Sequence, residues 1–328
     1  MTSMRAVLDS LTALFEDPSY STLKKAPLMQ NSHHSVTKFM LTVVGAMSLL
    51  SLTSCGLANN ADDKTISMIL TESGPFQEPT KIAAELLEED GWTLEPTYVT
   101  DIIQPNQVVA NGEYDVNYFQ HLAYLRQFNA DYDLNIEPLL AIFQAPAGIY
   151  SERYDSIEDL PDGAQIALPV DRANNGRGLL LLHEAGLLTV DDSKEVTEIS
   201  QEDILDNPNN YKFVEVDQQS LAQILPDVDA GFSFTRLIAE SDLEVAATEP
   251  LLIEDDAEAQ LPYTVVIAAT DDFAETQPEK FEALRAAYQS EEVNDWFDQY
   301  IGGLKKTAFN IDVSEVWDDF QTSAPGAS

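Results

Sequence analysis

The sequence predicts an α/β protein built as two lobes joined by two hinge strands, with a cleft between them. Three observations carry this. The 328 residues exceed what one ordinary core organises and suit two domains of roughly 100 to 150 residues. From residue 65 onward, strand-like and helix-like segments alternate, as expected of largely parallel sheets covered by helices on both faces. Two longer extended stretches, 136 to 153 and 262 to 272, stand outside that rhythm and suit paired connections between the lobes.

The elements follow in order. TISMIL (65 to 70) is a β-rich run, and EPTKIAAELLEEDG sets Ile82, Ala83, Leu86 and Leu87 at helical spacing with Gly91 as the stop. LEPTYV (94 to 99) reads as a strand, PNQVVANG as a short helix ended by Gly112, and DVNYF as the next strand. After the first extended stretch come the strand AQIALPV (164 to 170), the helix GRGLLLLHEAG, the strand KFVEVD, the helix QQSLAQIL and the strand AGFSF (230 to 234). The tail returns to helices, where Ser290 can cap a turn and Val293, Trp296, Phe297 and Tyr300 form an apolar stripe assigned to the core. These boundaries give lobe I over 65 to 145 and 266 to 320, and lobe II over 146 to 265.

Seventeen basic residues against 57 acidic ones leave a net charge of −40. Such a chain repels polyphosphate backbones, which excludes nucleic acid as a partner, and disfavours anionic lipid surfaces. The acidity reads either as a solvated surface or as a field favouring cationic or zwitterionic ligands over net anions. With one cysteine, Cys55, neither an intramolecular disulfide nor a cysteine-based zinc site can form.

The surroundings of Cys55 are informative. Residues 39 to 50, FMLTVVGAMSLL, are a 12-residue apolar run behind Lys38, too short to span a bilayer but suited to a signal-peptide core. LTSC, which follows it and precedes a polar stretch, resembles the bacterial lipobox. The expectation is a leader over 1 to 54, lipidation at Cys55 and a linker to residue 64, anchoring the folded part by lipid on the extracytoplasmic face of a bacterial cell membrane. Met29 is a second candidate start, which would put 1 to 28 ahead of the translated chain.

Enzyme signatures are missing: there is no GxSxG, HExxH, Walker loop or EF-hand pattern. The reading is therefore a binding protein without cofactor or metal. Acidic pairs at 191, 255 and 271 suit solvated turns, and His183 suits a surface group near the negative end of a helix. DRANNGRGLL (171 to 180) follows a strand and opens a helix, so its unpaired N–H groups and the Arg177 fork could receive a carboxylate beside Asn174. The same residues could equally be an exposed first turn. In DVNYFQHLAYLRQF (115 to 128), Phe119, His121 and Tyr124 either pack a core or line a pocket. Tyr118, on the opposite strand face from Phe119, belongs to the core.

DIIQPNQVVANGEYDVNYFQHLAYL (101 to 125), AGIYSERYDSIEDLPDGAQIALPVDRANNGRGLLLL (147 to 182) and PYTVVIAA (262 to 269) resemble the methionine-binding lipoprotein family, the substrate-binding subunits of methionine ABC importers. The resemblance covers nearly all of 62 to 310. It implies a periplasmic-binding-protein-like fold, a small-molecule ligand (methionine or another amino acid) in the interlobe cleft, an ABC permease as membrane partner, and a monomer. It further implies that Phe119, His121 and Tyr124 surround the ligand's side chain while Asn174 and Arg177 hold its carboxylate. A polarizable thioether packs well on ring edges, and a carboxylate out of water needs charged donors. Three positions depart from the family pattern by being apolar: Ile102, Phe234 and Val265. Ser233, Thr235, Arg236 or Thr264 would have to supply the missing polar groups, or the cleft is altered and the protein is a surface lipoprotein serving adhesion or partner contact.

Overall fold

The structure, a computed structural model, describes residues 64–144, 146–257 and 259–322. The leader over 1 to 54 and the lipidation site Cys55 lie outside the described residues.

The chain begins β1 (Thr65–Thr71), α1 (Gly74–Glu89), β2 (Thr93–Val99), α2 (Gln104–Ala110), β3 (Val116–His121), α3 (Leu122–Tyr132) and β4 (Ile136–Gln144). It continues with β5 (Ala147–Tyr150), β6 (Gln165–Pro169), α4 (Arg172–Glu184), β7 (Thr189–Val190), β8 (Ile204–Asp206), β9 (Lys212–Val216), α5 (Leu221–Ile224), β10 (Ala230–Phe234), α6 (Thr235–Ala239) and β11 (Leu252–Ile253). It returns through β12 (Val265–Thr270), α7 (Phe273–Thr276), α8 (Pro278–Tyr288), α9 (Glu291–Gln299), β13 (Lys306–Thr307) and α10 (Val313–Thr322). The glycine stops work as backbone chemistry requires: Gly91 and Gly112 sit at φ of +77° and +72°, where a side chain would be strained.

Two mixed sheets result, a six-stranded one in the order β13-β4-β12-β3-β1-β2 and a five-stranded one in the order β11-β5-β10-β6-β9. The expectation of largely parallel sheets holds only where βα units repeat, at β3-β1-β2 and β10-β6-β9. Strands next to the crossings run antiparallel: β12 returns from the second sheet and inserts between β3 and β4. The chain leaves the first sheet between Gln144 and Ala147 and comes back between Ile253 and Val265. The second extended stretch begins as a 3-10 turn, Leu261–Tyr263, and becomes strand at Val265.

Each sheet has its own apolar core. Tyr118 is fully buried in the first, and its hydroxyl donates to the Pro75 carbonyl at 3.1 Å. Val293 and Phe297 join that core, but Trp296 and Tyr300 are only half-buried and stack on each other at 4.5 Å. The stripe is thus core along one edge alone, because α9 lies at the rim where its last turn meets the other lobe.

Candidate functional site

β3 is buried along its whole length and stops at the crossing between the sheets. Its register with β12 slips between Val266 and Ile267, pairing Gln120 with Val266 and Tyr118 with Ile267. Such a bulge re-aims a side chain, here Phe119. His121 then serves as the N-cap of α3, its Nδ1 accepting the Tyr124 backbone N–H at 3.1 Å. That bond requires Nδ1 to be bare, so the proton sits on Nε2, which donates to Asn174 Oδ1 at 3.0 Å. Burial foremost, and then the charge of Arg177, pull the imidazole pKa down to about 3, so the ring is neutral at ordinary pH.

Asn174 comes from the other sheet. α4 starts at Arg172, earlier than the sequence pattern indicates, because Asp171 caps it: one Asp171 carboxylate oxygen accepts both the Asn174 N–H at 3.0 Å and its side-chain amide at 2.9 Å. The helix entrance therefore carries its own anion, and Arg177 lies in the second turn instead of the first. Gly176 allows the close packing beneath, since a Cβ there would fall 2.0 Å from the Val196 carbonyl oxygen.

The Arg177 guanidinium is buried and is not aimed as a free fork. Its Nε donates to one carboxylate oxygen of Glu254 and its Nη2 to the other, each at 2.5 Å, and its Cζ lies 3.7 Å from the Tyr263 ring centroid. Glu254 is held in turn by the Ala147 N–H at 2.8 Å. Sequence reasoning missed this carboxylate, since nothing near IEDD marks one acidic residue as internal.

Phe119, His121, Tyr124, Asn174 and Arg177 all line one cavity between the sheets, whose space, including the part open to solvent, is about 570 Å³. The rings meet edge to face, with Phe119 and Tyr124 5.8 Å apart and His121 and Tyr263 5.3 Å apart. Ile102, Phe234 and Val265 line it too. Ile102 contributes a polar group through its backbone, its carbonyl accepting the Tyr124 hydroxyl at 2.9 Å. Of the four residues expected to compensate, only Arg236 lines the cavity. Thr264 is engaged by Gln144 at 3.1 Å, and the buried hydroxyls of Ser233 and Thr235 have no hydrogen-bond partner among the described residues. Lys305 also lines the cavity, 2% exposed, and was not foreseen: GGLKK after an amphipathic helix reads as surface.

Several contacts join the lobes around this cavity. Besides His121 to Asn174, Glu240 at the end of α6 accepts the Gly74 N–H and the Ser73 hydroxyl, both at 2.8 Å, at the start of α1. Arg126 meets Glu195 at 3.2 Å.

The NlpA lipoprotein family model matches residues 68–309. The methionine-binding lipoprotein MetQ of Bacillus subtilis is 32% identical over 269 residues, 80% of this chain and 94% of that protein. The D-methionine-binding lipoprotein MetQ of Escherichia coli K12 is 28% identical over 79% of this chain and 94% of its own length. Among solved structures, a nutrient binding protein from Burkholderia cenocepacia bound to methionine superposes with a TM-score of 0.68 at 28% identity, covering 74% of this chain and all of the other (100%). A putative methionine-binding lipoprotein from Bacillus subtilis gives 0.69 at 31%, covering 75% and 98%. The architecture of two α/β lobes around an interlobe cleft is accordingly of the periplasmic-binding-protein kind. The chain belongs to the NlpA lipoprotein family.

Proposed function

We propose that this protein is a lipid-anchored solute-binding protein of an ABC importer that takes up methionine or a related amino acid between its lobes. The observation that supports this most is the cavity itself: buried rings and charged or polar side chains from both lobes converge on one space. In this reading Phe119, His121 and Tyr124 form the apolar wall, and Asn174 with Arg177 forms the polar one. Lobe I spans 65 to 145 and 266 to 320 and lobe II 146 to 265, in keeping with the points where the chain changes sheets. Cys55 carries the lipid, the extracytoplasmic face is the site of action, and a membrane permease receives the solute from the monomer. No described helix is long and apolar enough to cross a membrane.

A thermal-unfolding screen over amino acids tests this: a ligand bound only by the folded state raises the melting temperature saturably. The engagement of Arg177 by Glu254 favours a second reading, a surface lipoprotein with an altered cleft serving partner contact. A folded protein silent across the whole screen would support it.

A further inference from the structure

Three amide side chains join α2 to β3 next to the cavity. Asn106 Nδ2 donates to Gln120 Oε1 at 2.8 Å, and Asn106 Oδ1 accepts from Gln120 Nε2 at 2.6 Å and from Asn117 Nδ2 at 3.0 Å. Gln120 Nε2 also donates to Asn117 Oδ1 at 2.9 Å, which closes a triangle. Asn106 and Asn117 are fully buried and Gln120 is nearly so. Of the three, Gln120 alone lines the cavity.

Amides out of water are costly unless bonded, and a satisfied set of them favours the one backbone arrangement that lets them meet. Strand alternation alone would put Asn117 and Gln120, three residues apart, on opposite faces of β3. Phe119 is the extra residue of the bulge, because Tyr118 pairs with Ile267 and Gln120 with Val266. That one inserted residue brings Gln120 back to the face of Asn117. The triangle therefore closes only when β3 is bulged at Phe119.

The same Asn106 ties down the start of α2. Asp101 caps the entry turn, its Oδ1 accepting the Ile103 and Gln104 N–H groups at 2.8 and 2.7 Å, and the Ile102 carbonyl between them holds the Tyr124 hydroxyl. We propose that Asn106 is a positioning residue for the solute. It locks the bulge that turns Phe119 into the cavity, and it steadies the carbonyl that anchors Tyr124. The two rings thus keep their edge-to-face spacing through a side chain that lies outside the cavity lining. This rests on the cavity being the solute site and adds a determinant of how its ring wall is shaped.

Asn106→Leu removes the triangle at similar volume. The crystal structure of this variant should show the β3–β12 register shifted at Phe119 or that ring turned out of the cavity, and amide hydrogen exchange at Phe119 to His121 should quicken at least tenfold relative to β1. Calorimetric titration with methionine should give at least tenfold weaker binding than the parent. In a Phe119→Leu background the same substitution should cost no more than threefold, because the ring it positions is gone. A loss of equal size in both backgrounds overturns the proposal, since the effect then does not pass through Phe119. So does parent-like affinity in Asn106→Leu. Should that variant fail to fold, Asn117→Val, which also leaves the cavity lining unaltered, carries the same expectations. Failure of the parent to bind methionine or any amino acid of the screen overturns the solute-binding reading, and an unshifted bulge in the variant overturns the lock whatever that outcome.

Discussion

Arg177 gives its Nε and Nη2 to the two oxygens of Glu254 at 2.5 Å each, 77 residues away in sequence, and both side chains are largely buried. A planar fork on a carboxylate is among the strongest pairings a protein makes, and it fixes the segment after β11 against α4. Removing one partner strands the other. Arg177→Ala should therefore cost about 3 kcal/mol of unfolding free energy in urea titration, whereas Arg177→Met combined with Glu254→Gln should cost much less. Equal losses in the single and double variants would show that the pair is not coupled.

The lobes are also tied by Glu240, which holds the first backbone N–H of α1 and the Ser73 hydroxyl. Tyr300 adds its hydroxyl at 3.3 Å. A carboxylate at a helix N-terminus gains from both the free N–H groups and the helix dipole. Glu240→Gln should lower ligand affinity by about tenfold, equivalent to about 1.4 kcal/mol, and shift small-angle scattering toward a larger radius of gyration. An unchanged scattering profile would mean that this contact does not hold the lobes together.

His121 makes stability depend on pH. Its folded pKa is about 3 against an ordinary 6.5, so between those values the unfolded chain binds a proton that the folded chain refuses. Stability from this group is therefore constant above about pH 6.5 and falls as the pH drops toward 3, by up to about 1.4 kcal/mol per unit. Asp171, whose buried carboxyl is shifted upward, and Arg177 lie in the same field. The measurement is thus a difference: His121→Gln, which keeps a donor for Asn174, should flatten the profile between pH 6.5 and 4. Parallel profiles for the two proteins would rule out a suppressed imidazole.

Gly176 is the tightest glycine contact in α4. With the Val196 carbonyl oxygen 2.0 Å from where a Cβ would stand, Gly176→Ala must push the Val196–Glu198 turn off the helix. A loss of roughly 2 kcal/mol or more is expected by denaturant unfolding. A neutral effect would mean that the turn yields freely.

Short runs rich in apolar and β-forming residues, each with a glycine or polar stop beside it, made β1, α1, β3 and β6 legible in the sequence, although β3 is buried on both faces. Tyr118 could be placed in the core by strand parity alone. The ring cluster was visible because Tyr118, Phe119, His121 and Tyr124 fall within seven positions of one another. What pattern reading misses is the partner of a charge. Glu254 stands among other acidic residues and Lys305 beside Lys306, and only the chain crossings turn one of each inward. The start of α4 was misplaced for a related reason: Asn174, Asn175 and Gly176 form helix poorly by propensity, and the Asp171 cap and close packing override that.

The most direct test of the account fills the cavity. Val265, on β12 opposite His121, lines it, and Val265→Trp would occupy the space without removing a charged group. Native mass spectrometry of the purified protein with one small ligand bound should show that ligand lost in Val265→Trp while the fold persists by circular dichroism. Retention of the same ligand at the same occupancy would place binding elsewhere and contradict the interlobe site.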